Sequence, residues 1–578
     1  MQIPIIKSEK IRKIIDKFIL PIVLFALPLV TVNQGVDVSD STYSLGNYLF
    51  ADRLEGMWVI STYLSNLFGS FIVRLPGGSA LLWANIYTGI ILAITVIGAF
   101  YSLKKDIGTP AAFFGGVVAI EMCWIPTGIL YNYLSYLFLT VGALLLYKAV
   151  TKENRKLLFA AGLVLGINVF VRIPNITDAA LILVLWTVAL YEKREFKTVA
   201  KDTGICIGGY VVGVVLPLIA VVFKFGLKGL ADMVDGLSAI TSTDETYTPI
   251  AMILGTMRAY SRSSKWFFII MLVVLGGIVL FRILPSKVTP LKVVIYLAVI
   301  GLMVRFFWGR GMFSFRYYED YSSIYEWGMI SLYLSITSAA YGLIVATRKN
   351  EANRRKFIAL SVMSLVITVI APLGSNNYTY QNLNNLFVVM PVTFYLCIDA
   401  VRRIAKKGKD FFTFPVGIML LALGVIIIVQ GFGFNSTFVF RDGMRGEERN
   451  AKIDGIPSLK GMCTNSENAT NLLELYNCIE EINPDEVILY GDCPGLTYIL
   501  GRPSALFTSW ADLDSNPVEL VAEGLEKIAD RKGIAVIIRN IEPSSKNYEK
   551  KLSLIYDFID ENDYRECFKS DEYVVYTR

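Results

Sequence analysis

The sequence predicts an α-helical polytopic membrane protein with about 13 transmembrane helices and a small extracytoplasmic α/β domain at its C-terminus. Of the 578 residues, 54% are hydrophobic and only 18% are charged, whereas a soluble protein carries about 25% charged residues. Long uncharged segments recur from Phe18 to Phe432, and the composition changes after Phe432. We therefore expect a transmembrane part at residues 1–433 and a soluble domain at residues 434–578.

Each uncharged segment approaches the roughly 20 residues that a helix needs to cross the hydrocarbon core. The predicted spans lie at residues 18–33, 79–101, 110–126, 129–147, 157–172, 176–191, 203–223, 266–283, 292–308, 327–346, 357–373, 386–401 and 412–433. The first segment follows a basic stretch but precedes no small-x-small cleavage site, which predicts a retained helix rather than a signal peptide.

The basic residues indicate how these spans are oriented. Residues 1–433 hold 39 Lys and Arg, of which 28 lie in the N-terminal segment and six alternate connections. The positive-inside rule places these connections, and with them the N-terminus, in the cytoplasm. The C-terminal domain, with 16 Lys and Arg against 26 Asp and Glu, is then expected outside the cell membrane.

The predicted outer face carries the long connections, which we call the first to fourth outer loops. They cover residues 34–78, 224–265, 305–326 and 374–385. Within the first, Leu45–Glu55 and Trp58–Val73 are amphipathic and are expected to lie in the membrane interface. Because a transporter usually needs machinery on both sides of the membrane, elaboration of a single face predicts chemistry on that face.

The C-terminal domain shows apolar runs typical of buried strands and apolar residues at helical spacing. Strands are expected at Glu486–Tyr490, Ile534–Ile538 and Tyr573–Tyr576, and helices at Asn468–Glu481, Pro517–Arg531 and Tyr548–Glu561. Four cysteines lie here, and an outer compartment permits disulfides. Cys463 with Cys478 is the first pairing to test, and free thiols are the alternative.

The chain contains no histidine. This excludes Ser-His-Asp and Cys-His catalysis and any His-ligated metal site. Nothing in the sequence indicates nucleic-acid binding. Any chemistry must therefore use carboxylates, cations, hydroxyls or a hard-metal site with oxygen ligands.

The first outer loop places two carboxylates, Asp37 and Asp40, directly after the first predicted span, among hydroxyl and aromatic residues. A carboxylate at this place is able to deprotonate a hydroxyl acceptor or to help hold a divalent cation. In the alternative interpretation, Asp40 only caps the next helix.

This layout resembles the GT-C glycosyltransferases: the protein O-mannosyltransferases, aminoarabinose transferases and oligosaccharyltransferase catalytic subunits. These proteins have many spans, an acidic motif in the first outer loop and frequently a soluble C-terminal domain, and they take a sugar from a polyprenyl-phosphate or polyprenyl-diphosphate lipid. In the mannosyltransferase-like branch the loop motif is Asp-Glu, followed shortly by Tyr. Here Asp40 and Tyr43 match, while Ser41 replaces the Glu. The resemblance implies a catalytic Asp40, a substrate-binding Tyr43 and Asp37 as the second carboxylate.

A second resemblance concerns the segment that ends in Val171-Arg172-Ile173-Pro174, which is similar to a helix of that branch ending in a basic residue and Pro. It implies that Arg172 lies near the lipid phosphate. A planar guanidinium suits this role because it can bind two phosphate oxygens at once. The alternatives are an ion pair with Asp178 and snorkelling of Arg172 to the membrane surface.

The chain departs from the family at the helix that follows the second outer turn, where Asn132 occupies the place of a further acid. Glu121, near the end of the preceding span, is the expected substitute, and a packed, neutral Glu is the alternative. If a divalent cation such as Mg²⁺ or Mn²⁺ is bound, its ligands are expected among Asp37, Asp40 and Glu121.

The third outer loop brings Arg305, Arg310 and Arg316 together with aromatic residues. Arginines suit phosphate, and aromatic side chains suit the faces of sugars. The alternative is an interfacial aromatic belt with ordinary ion pairs.

The sequence therefore predicts a membrane glycosyltransferase that moves a sugar, a hexose by analogy, from a polyprenyl-phosphate donor to a glycan, lipid or protein acceptor on the outer face. One alternative is a polysaccharide polymerase or ligase that acts on the same lipids, against which the acid pair and the exported domain argue. The other is a flippase or transporter of lipid-linked sugars. It predicts broken helices and an inverted repeat, neither of which is clear in the sequence.

Overall fold

The computed structural model describes residues 9–54, 56–123, 130–243, 245–313, 322–348, 351–437, 442, 448–543 and 546–578. These residues are mostly helical, and a small sheet lies near the C-terminus. The predicted combination of a helical membrane protein with a small C-terminal sheet domain is confirmed at this level. The boundary between residues 433 and 434 stays a prediction.

The helices up to residue 437 include short ones in the loops as well as long ones in the bundle. They are α1 (Glu9–Ile14), α2 (Leu20–Ala26), α3 (Asp40–Leu49), α4 (Gly56–Ile60), α5 (Tyr63–Ile72), α6 (Leu81–Ile107), α7 (Thr109–Glu121), α8 (Leu130–Lys152), α9 (Arg155–Val171), α10 (Leu183–Glu192), α11 (Phe196–Thr243), α12 (Pro249–Ile283), α13 (Thr289–Trp308), α14 (Ser322–Ala346), α15 (Arg354–Ile370), α16 (Thr379–Asn384), α17 (Val389–Lys406) and α18 (Asp410–Thr437). A 3₁₀ segment at Ile173–Ile182 leads into α10.

Eight helical segments within the described residues are long and apolar enough to cross a membrane. They are Leu81–Ile107, Leu130–Lys152, Ile173–Glu192, Phe196–Ser238, Pro249–Ile283, Ser286–Trp308, Ile324–Ala346 and Asp410–Ser436. Helices α7, α9, α15 and α17 also lie at predicted spans, but they are shorter or less apolar. Helix α15, for example, has only 17 residues, most of them buried among its neighbours. The predicted count of about 13 spans is therefore not confirmed by length and composition.

The bundle has two chemically different ends. At one end, ion pairs join the basic connections, linking Arg194 to Glu153, Arg355 to Glu192 and Arg403 to Glu351 at 2.8, 2.6 and 2.8 Å. Helices α9 and α15 start at this end. At their other ends, the Arg172 guanidinium donates to the backbone oxygen of Gly374 at 3.2 Å. The basic connections thus lie opposite the first and fourth outer loops.

The first outer loop forms α3, α4 and α5. The side chains of Leu67, Phe68 and Phe71 on α5 are exposed, as expected for a helix that lies in a membrane interface. Helix α3 faces the opposite way, toward the C-terminal domain, because its buried residues pack there.

The C-terminal domain contains a four-stranded sheet of order β3-β4-β6-β5. Its strands are β3 (Glu486–Tyr490), β4 (Ile534–Arg539), β5 (Arg565–Lys569) and β6 (Tyr573–Thr577), preceded by the short pair β1 (Ala451–Lys452) and β2 (Cys463–Thr464). Its helices are α19 (Ser466–Ile482), α20 (Leu496–Leu500), α21 (Val518–Ile528) and α22 (Tyr548–Glu561). Strands β3 and β4 are parallel, whereas β6 runs antiparallel to β4. Each predicted strand and helix is present, and β1, β2, β5 and α20 are additions.

The first outer loop and the C-terminal domain share one hydrophobic core. Val38 and Leu45 of the loop pack in the same cluster as Leu496 and Tyr498 of the domain. The Gly495 N–H donates to the Val38 oxygen at 2.7 Å. The domain is therefore docked directly on the loop that carries the predicted catalytic residues.

A buried carboxylate, Asp442, strengthens this docking. It accepts hydrogen bonds from the Val36 N–H at 2.9 Å, the Thr464 hydroxyl at 2.6 Å and the Asn468 amide at 2.7 Å. Donors from the first outer loop, β2 and α19 thus converge on one side chain. Satisfying a buried carboxylate in this way avoids the high cost of an unpaired charge.

The expected disulfide between Cys463 and Cys478 is not formed, and all seven cysteines are free. Cys463 lies in β2, where its backbone exchanges hydrogen bonds of 2.8 Å with Asn33 and Gly35. The thiol of Cys478 instead lies within hydrogen-bonding reach of Cys567. The first pairing inferred from the sequence was wrong because backbone pairing with the first outer loop fixes the position of Cys463.

Candidate functional site

The Asp37 carboxylate is held within its own loop and is only 5% exposed. One oxygen accepts the Ser39 N–H at 2.8 Å and the Ser39 hydroxyl at 2.5 Å, and the other accepts the Ser41 N–H at 2.8 Å. These donors include N–H groups at the start of α3, which lack intrahelical partners. The capping role considered for Asp40 thus belongs to Asp37.

Asp40 is the first residue of α3 and is partly exposed. The positive end of the helix dipole favours the ionised form of a carboxylate at this position. Its charge interacts with the phenols of Tyr43 and Tyr131. Asp40 therefore lies beside aromatic hydroxyls at the end of the bundle opposite the basic connections.

Arg172 contacts the ring of Tyr131. It ends α9 in an extended conformation, and its guanidinium carbon lies 5.7 Å from the centre of the Tyr131 ring. The expected alternative of an ion pair with Asp178 is not seen, because the Asp178 carboxylate accepts the Asn168 amide at 2.7 Å. The Tyr131 ring thus contacts the Arg172 cation, and its phenol interacts with the charge of Asp40, which comes from a different element.

The fourth outer loop supports Arg172 through Gly374, whose backbone has a φ of +92°. A Cβ at this position would lie 2.1 Å from the Cβ of Pro174. Only glycine permits both this backbone conformation and this approach. The loop can therefore place its backbone oxygen against the Arg172 guanidinium.

A small polar cavity of about 40 Å³ lies beneath Arg172. Its lining includes Asn132, Arg172, Asn175, Asp178, Gln381 and Asn385. This volume holds a few water molecules rather than a sugar. The cavity brings the predicted residues Asn132 and Arg172 together with amides from the fourth outer loop.

Tyr43 connects the site to the C-terminal domain. Its hydroxyl forms hydrogen bonds with the side chains of Asn47 and Thr508, and its ring packs edge-on against Trp510 with 5.2 Å between ring centres. Burial raises the pKa of the Tyr43 phenol, which therefore stays neutral and able to donate.

Glu121 lies apart from these residues, against α18. It is 2% exposed and packs on Gly431, and its backbone oxygen accepts the Asn435 amide at 2.7 Å. One of its carboxylate oxygens has no hydrogen-bond partner among the described residues. This environment fits the alternative of a packed, neutral Glu.

Arg305 and Arg310 lie at the end of α13 and are exposed. The Arg310 guanidinium carbon is 5.0 Å from the centre of the Phe306 ring. No contact between described residues joins either arginine to Asp40 or Arg172, and Arg316 lies outside the described residues.

The described residues do not assemble the divalent-cation site that the resemblance raised. No three Asp, Glu or Cys side chains within them come together as metal ligands. Donors from the loop occupy both oxygens of Asp37, and Glu121 lies against a different helix. We therefore derive no step through a metal ion.

The sequence does not predict a role for three groups at the site: Tyr131, the amides of the fourth outer loop and the Thr508–Trp510 segment. Tyr131 precedes Asn132, so its position beside the second outer turn was a usable signal. No local sequence pattern predicts the contact of Trp510 with Tyr43, because the two residues lie far apart in the chain.

No protein-family model and no curated protein matches the sequence. Among solved structures, the chain is similar to the apo oligosaccharyltransferase of Archaeoglobus fulgidus, with 12% identity and a TM-score of 0.48 over 92% of this chain and 70% of that one. It is also similar to ArnT from Cupriavidus metallidurans bound to undecaprenyl phosphate, with 12% identity and a TM-score of 0.37 over 98% of both chains. A complex of the archaeal protein with Zn and sulfate matches with 11% identity and a TM-score of 0.48, over 96% of this chain and 73% of that one. Both proteins are GT-C glycosyltransferases, the superfamily that the sequence resembles. Likeness of this degree carries no further conclusion for this chain.

Proposed function

We propose that this protein is a membrane glycosyltransferase that transfers a sugar from a polyprenyl-phosphate donor to an acceptor hydroxyl on the outer face of the membrane. The observation that carries the proposal is the contact of the Arg172 guanidinium, at the end of α9, with the ring of Tyr131, whose phenol also interacts with the charge of Asp40 at the start of α3. A carboxylate and a guanidinium at one site supply a general base and a binding group for a phosphate.

In this mechanism the acceptor hydroxyl attacks the anomeric carbon of the donor sugar. A carbon–oxygen bond to the acceptor forms while the bond to the phosphate oxygen breaks. The hydroxyl proton passes to the Asp40 carboxylate, and the leaving phosphate receives the negative charge. Arg172 stabilises that charge with preorganised donors, and the configuration at the anomeric carbon inverts.

The two carboxylates of the loop have different roles in this proposal. Asp37 is a positioning residue, because its oxygens already accept donors from Ser39 and Ser41. Asp40 is the catalytic base. Tyr43 and Tyr131 flank the substrate, and Asn132 contributes to the polar floor beneath Arg172.

The test measures turnover of polyprenyl-phosphate hexoses by the full chain in proteoliposomes. The release of polyprenyl phosphate reports this turnover. Asp40→Asn is expected to lower kcat by about 10²–10⁴-fold, the usual contribution of a general base. Arg172→Lys is expected to retain part of the rate, because Lys keeps the charge but loses the bidentate geometry.

Asp52→Asn is the matched control, since Asp52 is an exposed carboxylate of the same outer loop. It is expected to behave as the wild type. Full turnover by a folded Asp40→Asn protein would contradict the proposal.

A further inference from the structure

Two of the four cysteines in the C-terminal domain meet at the edge of its sheet. Cys478 lies in the C-terminal half of α19, and Cys567 lies in the edge strand β5. The Cys478 thiol donates to the Cys567 sulfur. The Cys567 thiol in turn donates to the Val575 oxygen of β6 at 3.3 Å. The two thiols are therefore in contact across the junction of a helix and a strand.

An irregularity in β5 brings Cys567 to the side of the sheet that α19 covers. The register of β5 against β6 shifts between Glu566 and Phe568, so Cys567 is the extra residue of a bulge. Consecutive strand residues normally point to opposite faces, and a bulge redirects a side chain. Phe568 packs in the same hydrophobic cluster as Cys478. Because of the bulge, Cys567 and Phe568 both contact the side of the sheet where α19 lies.

An oxidant can reach this pair from the solvent. Cys567 is exposed and Cys478 is partly exposed, whereas Cys463 and Cys493 are buried. Burial raises the pKa of both contacting thiols, and that of Cys478 reaches about 11. Because the thiolate is the attacking species in disulfide exchange, the exposed Cys567 is the thiol that starts the reaction.

We propose that Cys478 and Cys567 form a disulfide bond on the outer face of the membrane. The oxidant is the disulfide of a thiol–disulfide oxidoreductase in the outer compartment. The Cys567 thiolate attacks this disulfide to give a mixed disulfide, and the Cys478 thiolate then displaces the oxidant's sulfur. The two thiols lose two electrons and two protons, and the oxidant leaves as a dithiol. The proposal requires the outward-facing domain that the positive-inside rule predicts, because disulfides persist in oxidising compartments.

The bond joins α19 to the edge of the sheet and closes the long stretch of chain that runs through β3, α20, α21, β4 and α22. Cross-links that close long loops stabilise a fold mainly by restricting the unfolded chain. Helix α19 also helps to hold the domain on the first outer loop, because its Asn468 amide donates to Asp442 at 2.7 Å and Asp442 accepts the Val36 N–H. We therefore expect the disulfide to stabilise the docked domain.

The experiment maps the cysteines of the full chain, isolated without reductant from the membranes of expressing cells and denatured in iodoacetamide. Digestion with trypsin and a Glu-specific protease leaves Cys478 in residues 475–480 and Cys567 in residues 567–569. We expect mass spectrometry to find these two peptides linked, and to find them separate after reduction. Recovery of both peptides in alkylated form without reduction, or linkage of Cys478 to Cys463, would overturn the proposal.

The melting temperature of the solubilised protein reports the stabilising effect. A phosphine reductant is expected to lower it by several degrees in the wild type, because it removes the cross-link. Cys478→Ser and Cys567→Ser should each start from a lower melting temperature and show no response to the reductant. Cys463→Ala is the matched control, since it removes another thiol of the same domain and should keep both the linked peptides and the response. An equal response in Cys567→Ser and the wild type would contradict the stabilising role.

Discussion

At the scale of single residues, the first outer loop places two neighbouring carboxylates, Asp37 and Asp40, in different environments. Asp37 is buried and accepts three donors from Ser39 and Ser41. Asp40 lies three residues on, at the start of α3 and partly exposed. The sequence alone did not separate these roles, because both residues share the same composition of neighbours. Burial and hydrogen bonding separate them.

Asp37→Ala is expected to destabilise the loop by about 2–4 kcal/mol, because it leaves buried N–H donors without a partner. The melting temperature of the solubilised protein should fall by several degrees. Asp40→Ala should change the melting temperature little, although we expect it to abolish the proposed turnover. Equal melting temperatures of Asp37→Ala and the wild type would show that the cap is not needed for the fold.

At the scale of elements, the docking of α3 on α20 depends on two close approaches by glycine. A Cβ at Gly495 would lie 1.8 Å from the Thr42 hydroxyl, and one at Gly46 would lie 2.4 Å from the Thr497 hydroxyl. The helix and the domain therefore meet without intervening side chains at these points. The same docking brings Trp510 of the domain against Tyr43 of α3.

Gly495→Ala is expected to cost about 1–3 kcal/mol through overpacking. It should also weaken the hydrogen bond from the Gly495 N–H to Val38. Hydrogen exchange of the full chain is expected to show faster exchange at residues 36–46 and 495–500. Gly98→Ala is the matched control, because a Cβ at Gly98 meets nothing within 4 Å. Equal exchange in Gly495→Ala and the wild type would contradict the role given to this contact.

Local patterns predicted most elements, and tertiary contacts account for what was missed. The bounds of β3 and α22 agree with the prediction because apolar periodicity determines them locally. Strand β5 was missed because it is an edge strand whose residues are mostly exposed and polar. At the candidate site, short motifs predicted Asp40 and Arg172, whose roles stay predictions. The position of Tyr131 at this site depends on the packing of α3, α8 and α9 against one another.

At the scale of the whole molecule, the separation of charge between the two ends of the bundle bears on its orientation. Ion pairs gather the basic connections at one end, and the C-terminal domain covers the other through the shared core. The positive-inside rule predicts that the domain faces outward. A lipid-linked donor and an outer acceptor would then meet at Asp40.

Labelling of intact cells with a membrane-impermeant maleimide tests this orientation. Cys567 is the exposed cysteine of the C-terminal domain, so we expect it to be labelled after treatment with a reductant that does not cross membranes. Cys567→Ser should abolish this labelling. In that background, Lys407→Cys places a thiol at an exposed position of the basic end, and it should react only after permeabilisation. Labelling of Lys407→Cys in sealed cells, together with protection of Cys567 in the parent protein, would reverse the orientation and remove Asp40 from the outer face that the proposed transfer requires.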